Sequence, residues 1–408
     1  MPGPLEGIRV IELSVIHVGP PIGYILGDLG AEVIKLERPD GGDPFRSMGG
    51  FWFEAINRNK KSIALDLKQE EGRQAFYRLV DKSDVFVSNY PEALLDRLGA
   101  GYDILGGRNP RLVYASVGSY GPQGPEKGRR AFEALIQARS GFTANISGGP
   151  TDAPMLLEGG LFDQTTATVM VYGLLAALVS RERTGKGQKV EGSLLGSAIH
   201  FQHGAVNYAL WHEVFPDMSL PEGEGSPLAP RLDRAEASNA LYNWYKCSDG
   251  RWIMFCEPDP DRWWGEFCRA IGAPDLTDNP RYADAGARSA NRQELYAKLD
   301  EIFAQKTLAS WLKALQEAEL SMAYSPVNSP AELAQDPQAT ANRYITEIEH
   351  PKRGKMKVAG IPLRFSGTPT STMSAAPELG EHTDEVLSQI GGLSSEEIAR
   401  LRSQGVMG

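Results

Sequence analysis

Short apolar runs alternate with amphipathic stretches over the first half of the chain. GIRVIEL and AEVIKLE (residues 7–13 and 31–37) have the composition of buried strands, and GPPIGYILGDLG between them has helical spacing. This order predicts a right-handed βαβ unit. Because the alternation continues through KKSIALDL, QEEGRQAFYRLVDKSD, VFVSNY and LVYASVGSYG, we expect an α/β domain with a parallel sheet up to about residue 200.

A longer apolar segment follows. From Thr165 to Ser180, apolar and small residues occupy nearly the whole circumference of a helix, which predicts that this helix is buried on all sides. Asp163 stands just before it, at or near the N-cap. A capping aspartate contributes about 1 kcal/mol, whereas the alternative is a nucleophile or base at the positive end of the helix dipole. The residue types alone favour the cap.

Composition changes after residue 205. FPDMSLPEGEGSPLAPRLDRAEA is rich in proline, glycine and charge and predicts a linker, assigned to 206–224. ALYNWYKCSDGRWIMFCEPDPDRWWGEFCRAIG then predicts two strands around a Ser-Asp-Gly turn and a helix, within a small α+β domain at 225–335. Strand patterns return at ITEIEH and KMKVAG, and a helix is expected after His-Thr-Asp at 382–384.

Charge and hydropathy exclude some function classes. The net charge is −10, from 42 basic and 52 acidic residues, and nucleic-acid binding needs a positive surface. The chain has no run of about 18 or more apolar residues and does not start with a signal-peptide pattern. We therefore expect a cytoplasmic protein that binds neither nucleic acid nor membrane.

The first βαβ unit shares two features with a dinucleotide-binding site. Glu37 ends the second strand at the spacing of a ribose-binding acid, and the preceding loop contains glycine. However, HVGPPIG has prolines where the phosphate-binding glycines of GxGxxG belong. NAD binding is therefore disfavoured.

The metal-binding residue types are not clustered. Cys247, Cys256 and Cys268 lack CxxC spacing and predict structural thiols. His200 and His203 have a spacing that could hold a metal, but no third ligand suggests itself. We expect neither a metal nor a permanently bound cofactor.

Several blocks together resemble one family. PLEGIRVIEL, GPPIGYILGDLGAEVIKLERPDGGDPFR, NRNKKSIALDL, RERTGKGQKV and LGEHTDEVL occur in order from near residue 5 to near residue 387. They are similar to blocks of the family III (CaiB/BaiF) CoA-transferases of the formyl-CoA type. The resemblance implies a Rossmann-like large domain formed by 1–205 and 340–408. It also implies a homodimer of interlinked chains.

The resemblance assigns three residues to catalysis. The family's catalytic aspartate precedes the helix that leads to the RxRTGxGQ turn, and Asp163 matches it. His17 occupies a position that is commonly glutamine in the family. Because it follows a strand at a predicted ligand crevice, we expect it to hold a substrate carboxylate or an oxyanion. Glu133 matches a family glutamate near the active site.

Coenzyme A, the expected substrate group, calls for basic side chains because it carries three phosphoryl groups. Arg38, Arg97 and Arg130 match basic family positions near CoA. Asn89 and Tyr90 end the VFVSNY strand in the same predicted crevice and are assigned to CoA binding. Each arginine taken alone would be typical of a surface charge.

The implied reaction moves CoA from an acyl-CoA thioester to a free carboxylic acid through aspartyl anhydride and aspartyl-CoA thioester intermediates. Succinyl-CoA is a common donor in the family. One alternative is an acyl-CoA racemase of the same fold, but alignment on Ser140 and Gly141 puts Phe132 at the position of its proton-moving histidine. Another is a CoA-binding subunit of a heteromeric transferase, and Asp163 argues against it.

One family feature is missing from the sequence. Some members carry consecutive glycines in the small domain, whereas residues 222–239 are EGEGSPLAPRLDRAEASN. Any lid over the site would therefore have different chemistry, and the substrates of formyl- or oxalyl-transferring relatives are not implied.

Overall fold

A computed structural model describes residues 3–212, 214, 215, 217, 234–370 and 373–408. Its contacts divide the chain into two units, residues 1–229 with 337–408 and residues 230–336. The predicted linker at 206–224 falls partly outside the described residues, and its first residues belong to a helix, His203–Trp211. Most of the segment that lacks the family's glycines, residues 222–233, also falls outside them.

Strands and helices are numbered in chain order. The strands are β1 (Arg9–Leu13), β2 (Glu32–Glu37), β3 (Lys60–Ala64), β4 (Val85–Ser88), β5 (Val113–Gly118), β6 (Lys189–Ser193), β7 (Trp244–Lys246), β8 (Trp252–Phe255), β9 (Tyr324–Pro326), β10 (Ile345–His350) and β11 (Gly354–Ala359). The helices are α1 (Gly19–Asp28), α2 (Phe51–Ile56), α3 (Glu70–Val80), α4 (Glu92–Arg97), α5 (Tyr102–Arg108), α6 (Glu133–Arg139), α7 (Phe142–Ser147), α8 (Leu161–Thr184), α9 (Leu194–Phe201), α10 (His203–Trp211), α11 (Pro260–Ala270), α12 (Ala285–Ala290), α13 (Arg292–Phe303), α14 (Leu308–Glu317), α15 (Pro337–Ala341), α16 (Thr383–Gln389) and α17 (Ser395–Ser403). Short 3₁₀ turns lie at Pro44–Arg46, Arg234–Glu236, Pro274–Leu276, Pro280–Tyr282 and Pro330–Gln335.

The larger unit is organised around a six-stranded parallel sheet. Its strand order is β3-β2-β1-β4-β5-β6, and all pairings are parallel. The predicted α/β class with a parallel sheet is therefore confirmed. The order reverses between β1 and β4, which is the point where ligands bind at the carboxyl ends of strands in open α/β sheets.

Both faces of this sheet are covered, which explains why its central strands are apolar runs. Val10 and Val85 belong to one buried cluster with side chains of α1 and α8. Ile11 and Phe86, the next residues along the strands, belong to a second cluster with side chains of α3, α16 and α17. Alternate residues of a strand point to opposite faces, so each central strand contributes to two cores.

The C-terminal segment packs against the edge strand β3. Helix α16 contacts β3, the Lys61 ammonium donates to Glu385 at 2.8 Å, and Leu65 forms an isolated antiparallel bridge with Met407. The strand patterns of ITEIEH and KMKVAG form an antiparallel hairpin, β10–β11. Residues remote in sequence thus cover the β3 edge of the sheet.

Helix α8 differs from its sequence prediction. It begins at Leu161 rather than near Thr165, and all-round burial is wrong because Tyr172 and Val179 are 57% and 53% exposed. Two large apolar side chains of α8 therefore face outward. By length and composition α8 could also span a membrane, but its other faces contact α1, α9, β5 and β6, as in a core helix.

The smaller unit has its own sheet and core. Strands β7 and β8 pair antiparallel around the predicted Ser-Asp-Gly turn, and β9 joins β8. The core is rich in aromatic side chains, including Tyr245, Phe255, Phe303 and Trp311. Most aromatic residues of the smaller unit therefore belong to its core.

Candidate active site

A cavity of about 840 Å³ lies in the larger unit. Its wall includes residues that follow β1, β2, β4 and β5 and residues at the start of α8. The carboxyl ends of parallel strands meet at one edge of a sheet, so loops remote in sequence converge there. Asp163, His17 and Glu133, which the sequence placed in three separate segments, all line it.

Asp163 lies within the first turn of α8 and not at its cap. The N-cap is Gly160, which has a φ of 81°, and Asp163 is the third helical residue. The alternative in which Asp163 caps the helix is therefore wrong, because the helix starts one turn earlier than the apolar pattern suggests. The side chain is only 13% exposed, so a helix N-terminus and low solvent access act on one carboxylate.

His17 lies against this carboxylate. Its Nδ1 is 3.5 Å from Asp163 Oδ2, and its side chain is 11% exposed. The imidazole also contacts the rings of Phe45 and Trp52, with centroid distances of 6.0 and 5.6 Å. A Cβ atom at Gly160 would lie 2.4 Å from the imidazole Cε1, so both the positive φ and the close approach require glycine there.

Glu133, and not Asp163, accepts a backbone hydrogen bond at the start of α8. It begins α6, and its Oε1 accepts hydrogen bonds from the Phe162 backbone N–H at 3.1 Å and from the Gln137 amide at 2.9 Å. The Phe162 N–H is one of the free donors at the start of α8. The other carboxyl oxygen, Oε2, is buried and has no hydrogen-bond partner among the described residues.

Gln137 was not identified from the sequence. It is fully buried, and its amide donates to the Leu157 carbonyl at 2.7 Å and accepts from the Leu157 N–H at 3.1 Å. One side chain therefore holds both Glu133 and the segment that precedes α8. The only available signal was its spacing, one helical turn after Glu133.

Burial and like charge set the protonation of the site. Burial, followed by the charge of Glu133, raises the pKa of Asp163 to about 7. Burial lowers the pKa of His17, and the charge of Glu133 opposes this only in part. Near neutral pH the site thus combines a neutral imidazole with a carboxyl group that readily exchanges its proton. The imidazole Nε2 is buried and has no partner among the described residues.

The residues assigned to CoA binding are only partly brought together. Arg38, Asn89, Tyr90 and Arg130 line the cavity. The amide of Asn89 is already used, since it pairs with both the N–H and the carbonyl of Val15 at 3.1 and 2.8 Å. Arg97 is exposed on the last turn of α4 and is not among the described lining residues.

Two basic residues missing from the sequence-based assignment lie at the same cavity. Lys127 and Arg129 line it together with Arg130. Each has an acidic neighbour, Glu92 at 3.4 Å from Lys127 and Glu126 at 2.5 Å from Arg129. A basic segment, 127–130, therefore follows β5 at the edge of the cavity, where an anionic ligand would be favoured.

The other predicted residues lie apart from this cavity. Among the described residues, no group of three or more His, Cys, Asp and Glu side chains could hold a metal ion. His200 and His203 are exposed, and their ring centroids are 6.5 Å apart. Cys247 and Cys268 are buried, and Cys256 is exposed.

The sequence and the fold are those of an acyl-CoA-processing family. The model of CoA-transferase family III matches residues 5–383, so the chain belongs to that family and is a CoA-transferase, an enzyme that acts on coenzyme A thioesters. It is 31% identical to the human (Homo sapiens) succinyl-CoA:glutarate CoA-transferase, over 99% of this chain and 90% of the relative. It is 30% identical to the formyl-CoA:oxalate CoA-transferase of Rhodopseudomonas palustris (strain BisB18), over 99% and 97%.

A solved structure agrees with this assignment. The crystal structure of a CaiB/BaiF family protein from Brucella suis superimposes with a TM-score of 0.81 at 31% identity. The match covers 96% of this chain and all of that one.

Proposed function

We propose that Asp163 is the nucleophile of a CoA transfer from an acyl-CoA to a free carboxylic acid. The observation that supports this most directly is the buried Asp163 carboxylate at the cavity wall, 3.5 Å from the His17 imidazole. A carboxylate that is partly withdrawn from water is a better nucleophile than a solvated one. Its helix N-terminus favours the ionised form that must attack.

The reaction balances without a redox or metal step. The Asp163 carboxylate attacks the thioester carbonyl, the C–S bond breaks, and CoA leaves as thiolate from an aspartyl anhydride. The thiolate then attacks Cγ of Asp163, which releases the donor acid and leaves an aspartyl-CoA thioester. The acceptor carboxylate attacks this thioester to form a second anhydride, and CoA thiolate attacks its acyl carbon, which regenerates Asp163.

Each attack creates a tetrahedral oxyanion that needs a donor. A neutral His17 has one N–H to give: from Nδ1 it would bind Asp163, and from Nε2 it would bind the substrate. Donors fixed in a dry site stabilise such charges strongly. In this proposal Arg38 and the basic segment 127–130, which includes Arg130, bind the phosphates of CoA. Arg97 would contact only a part of the nucleotide outside the cavity.

Transfer is tested by incubating the pure protein in deuterated water with succinyl-CoA or acetyl-CoA and a panel of mono- and dicarboxylic acids. The thioester products are then identified by mass spectrometry. New acyl-CoA species without deuterium at the α-carbon support the proposal. Uptake of α-deuterium without transfer would support the racemase instead. Two observations argue against that outcome: Phe132 carries no titratable group, and the Asp163–His17 contact of 3.5 Å leaves no room for a substrate carbon between the two side chains. Turnover only with a second polypeptide would support the heteromeric alternative.

Glu133→Gln should shift the pH dependence of transfer. Only ionised Asp163 attacks, so turnover should fall as the pH drops through about 7, the raised pKa of Asp163. Removing the charge of Glu133 lowers that pKa, and the acidic limb of kcat/KM should move to lower pH. The isosteric amide still accepts the Phe162 N–H. Glu182→Gln, exposed at the far end of α8, is the control, and an unmoved limb in Glu133→Gln would contradict the coupling.

The assembly we propose is a homodimer of interlinked chains. The exposed Tyr172 and Val179 on α8 support a protein interface at this helix, and the family resemblance supplies the linked arrangement. The protein should run at about twice 44.5 kDa. When dimers of isotopically labelled and unlabelled chain are mixed, native mass spectrometry should detect mixed dimers only after unfolding and refolding. Exchange under native conditions would contradict the linkage.

A further inference from the structure

The segment that leads into His17 has an unusual backbone. Ile16 has a φ of 63°, in the left-handed region, where a β-branched residue is rarely found. Such strain persists only when the surroundings determine it, and it concentrates at functional sites. The contacts that hold this segment therefore identify residues on which the position of His17 depends.

Asp43 is the contact that also reaches the surroundings of the imidazole. It is fully buried, and its Oδ1 accepts hydrogen bonds from the Ile16 N–H at 3.1 Å and from the Phe45 N–H at 3.0 Å. The Phe45 ring packs against the His17 imidazole. One carboxylate oxygen thus fixes both the backbone just before His17 and the aromatic side chain beside it.

Lys35 pairs with the other carboxylate oxygen of Asp43. Its ammonium is fully buried and forms an ion pair with Asp43 Oδ2 at 3.1 Å, and it donates hydrogen bonds to Glu12 Oε1 and to the Ser14 carbonyl, both at 3.0 Å. Buried charges are costly unless they are paired in this way. Together with the Asn89 clamp on Val15, these bonds fix every residue from Ser14 to Ile16.

We infer that Asp43, supported by Lys35, is a positioning residue that sets the His17 imidazole against Asp163. This rests on the proposed function, because it requires that His17 acts in CoA transfer. Asp43 does not line the cavity among the described residues, so it would act only through His17 and Phe45. A displacement of about 1 Å in a catalytic group can lower turnover by about 10²-fold.

The test separates the acceptor atom from the charge. Asp43→Asn keeps an Oδ1 that accepts both N–H groups but loses the charge facing Lys35. Asp43→Glu keeps the charge but moves the acceptor. We expect Asp43→Glu and Asp43→Ala to lower kcat by about 10- to 100-fold with little change in KM for the acyl-CoA. Asp43→Asn should retain most of the kcat of the unmodified protein. If Asp43→Ala does not fold, the Glu and Asn variants make the same comparison.

A double-mutant cycle with His17→Ala tests the route of the effect. If Asp43 acts through His17, adding Asp43→Glu to His17→Ala should lower kcat no further. The control is Asp84→Ala, which leaves the buried Arg181 without its 2.8 Å ion pair at the opposite end of β4. It should lower thermal stability, but its effect on kcat should be small and the same with or without His17.

Two results would overturn this inference. One is a double variant in which Asp43→Glu lowers the kcat of His17→Ala by the same factor as it lowers the kcat of the unmodified protein. The other is an Asp43→Asn enzyme as slow as Asp43→Glu. Absence of CoA transfer by the unmodified protein would instead overturn the proposed function, so the two failures are distinguishable.

Discussion

Asp163→Asn is expected to lower CoA transfer by at least about 10⁴-fold, the range seen when a nucleophile is removed. The amide has nearly the same shape but cannot attack a thioester. Folding should be unaffected or slightly favoured, because the substitution removes one of two neighbouring like charges. Turnover is measured by thioester mass, and stability by thermal unfolding.

Trapping of the intermediate supplies the second half of this test. Hydroxylamine added with acyl-CoA should attack the activated Asp163 carbonyl and leave a hydroxamate on that peptide, whereas hydroxylamine alone should not. Glu133→Gln is the matched control, because it should still be labelled at Asp163. An active Asp163→Asn enzyme, or a hydroxamate on another residue, would contradict the proposed mechanism.

His17→Ala is expected to lower kcat by about 10²- to 10³-fold, the effect of losing one oxyanion donor. His17→Gln should recover part of this loss, because an amide can donate a hydrogen bond from a similar position. The exposed His200→Ala is the control and should turn over normally. Full activity of His17→Ala would make the imidazole a packing residue between Phe45 and Trp52.

Much of the large unit could be predicted because its determinants are local. GIRVIEL, AEVIKLE and VFVSNY are strands by composition, and the parallel pairing follows from the helices between them. The short strand Tyr324–Pro326 was not predicted, because three residues carry too little pattern and the strand exists only through its pairing with β8.

The candidate site was predicted where a residue type stands beside a strand end or a family motif, as for Asp163 and His17. Gln137 and Asp43 were missed because their partners are remote: Gln137 bonds residue 157, and Asp43 bonds residue 16. The exposure of Tyr172 was missed for a related reason. An apolar pattern indicates that a helix face avoids water, not which molecule covers it.

The packing of residues 383–407 against β3 bears on how the chain is made. Val386, Leu387, Ile398 and Leu401 belong to the same buried cluster as Ile11 and Ile34, but they are translated after the whole of the smaller unit. Domains generally fold as units during synthesis. The early strands therefore leave the ribosome with one sheet face covered only in part, by α3 and its neighbours. Until α16 and α17 emerge, the part of that face that they cover is exposed apolar surface, of the kind that chaperones bind.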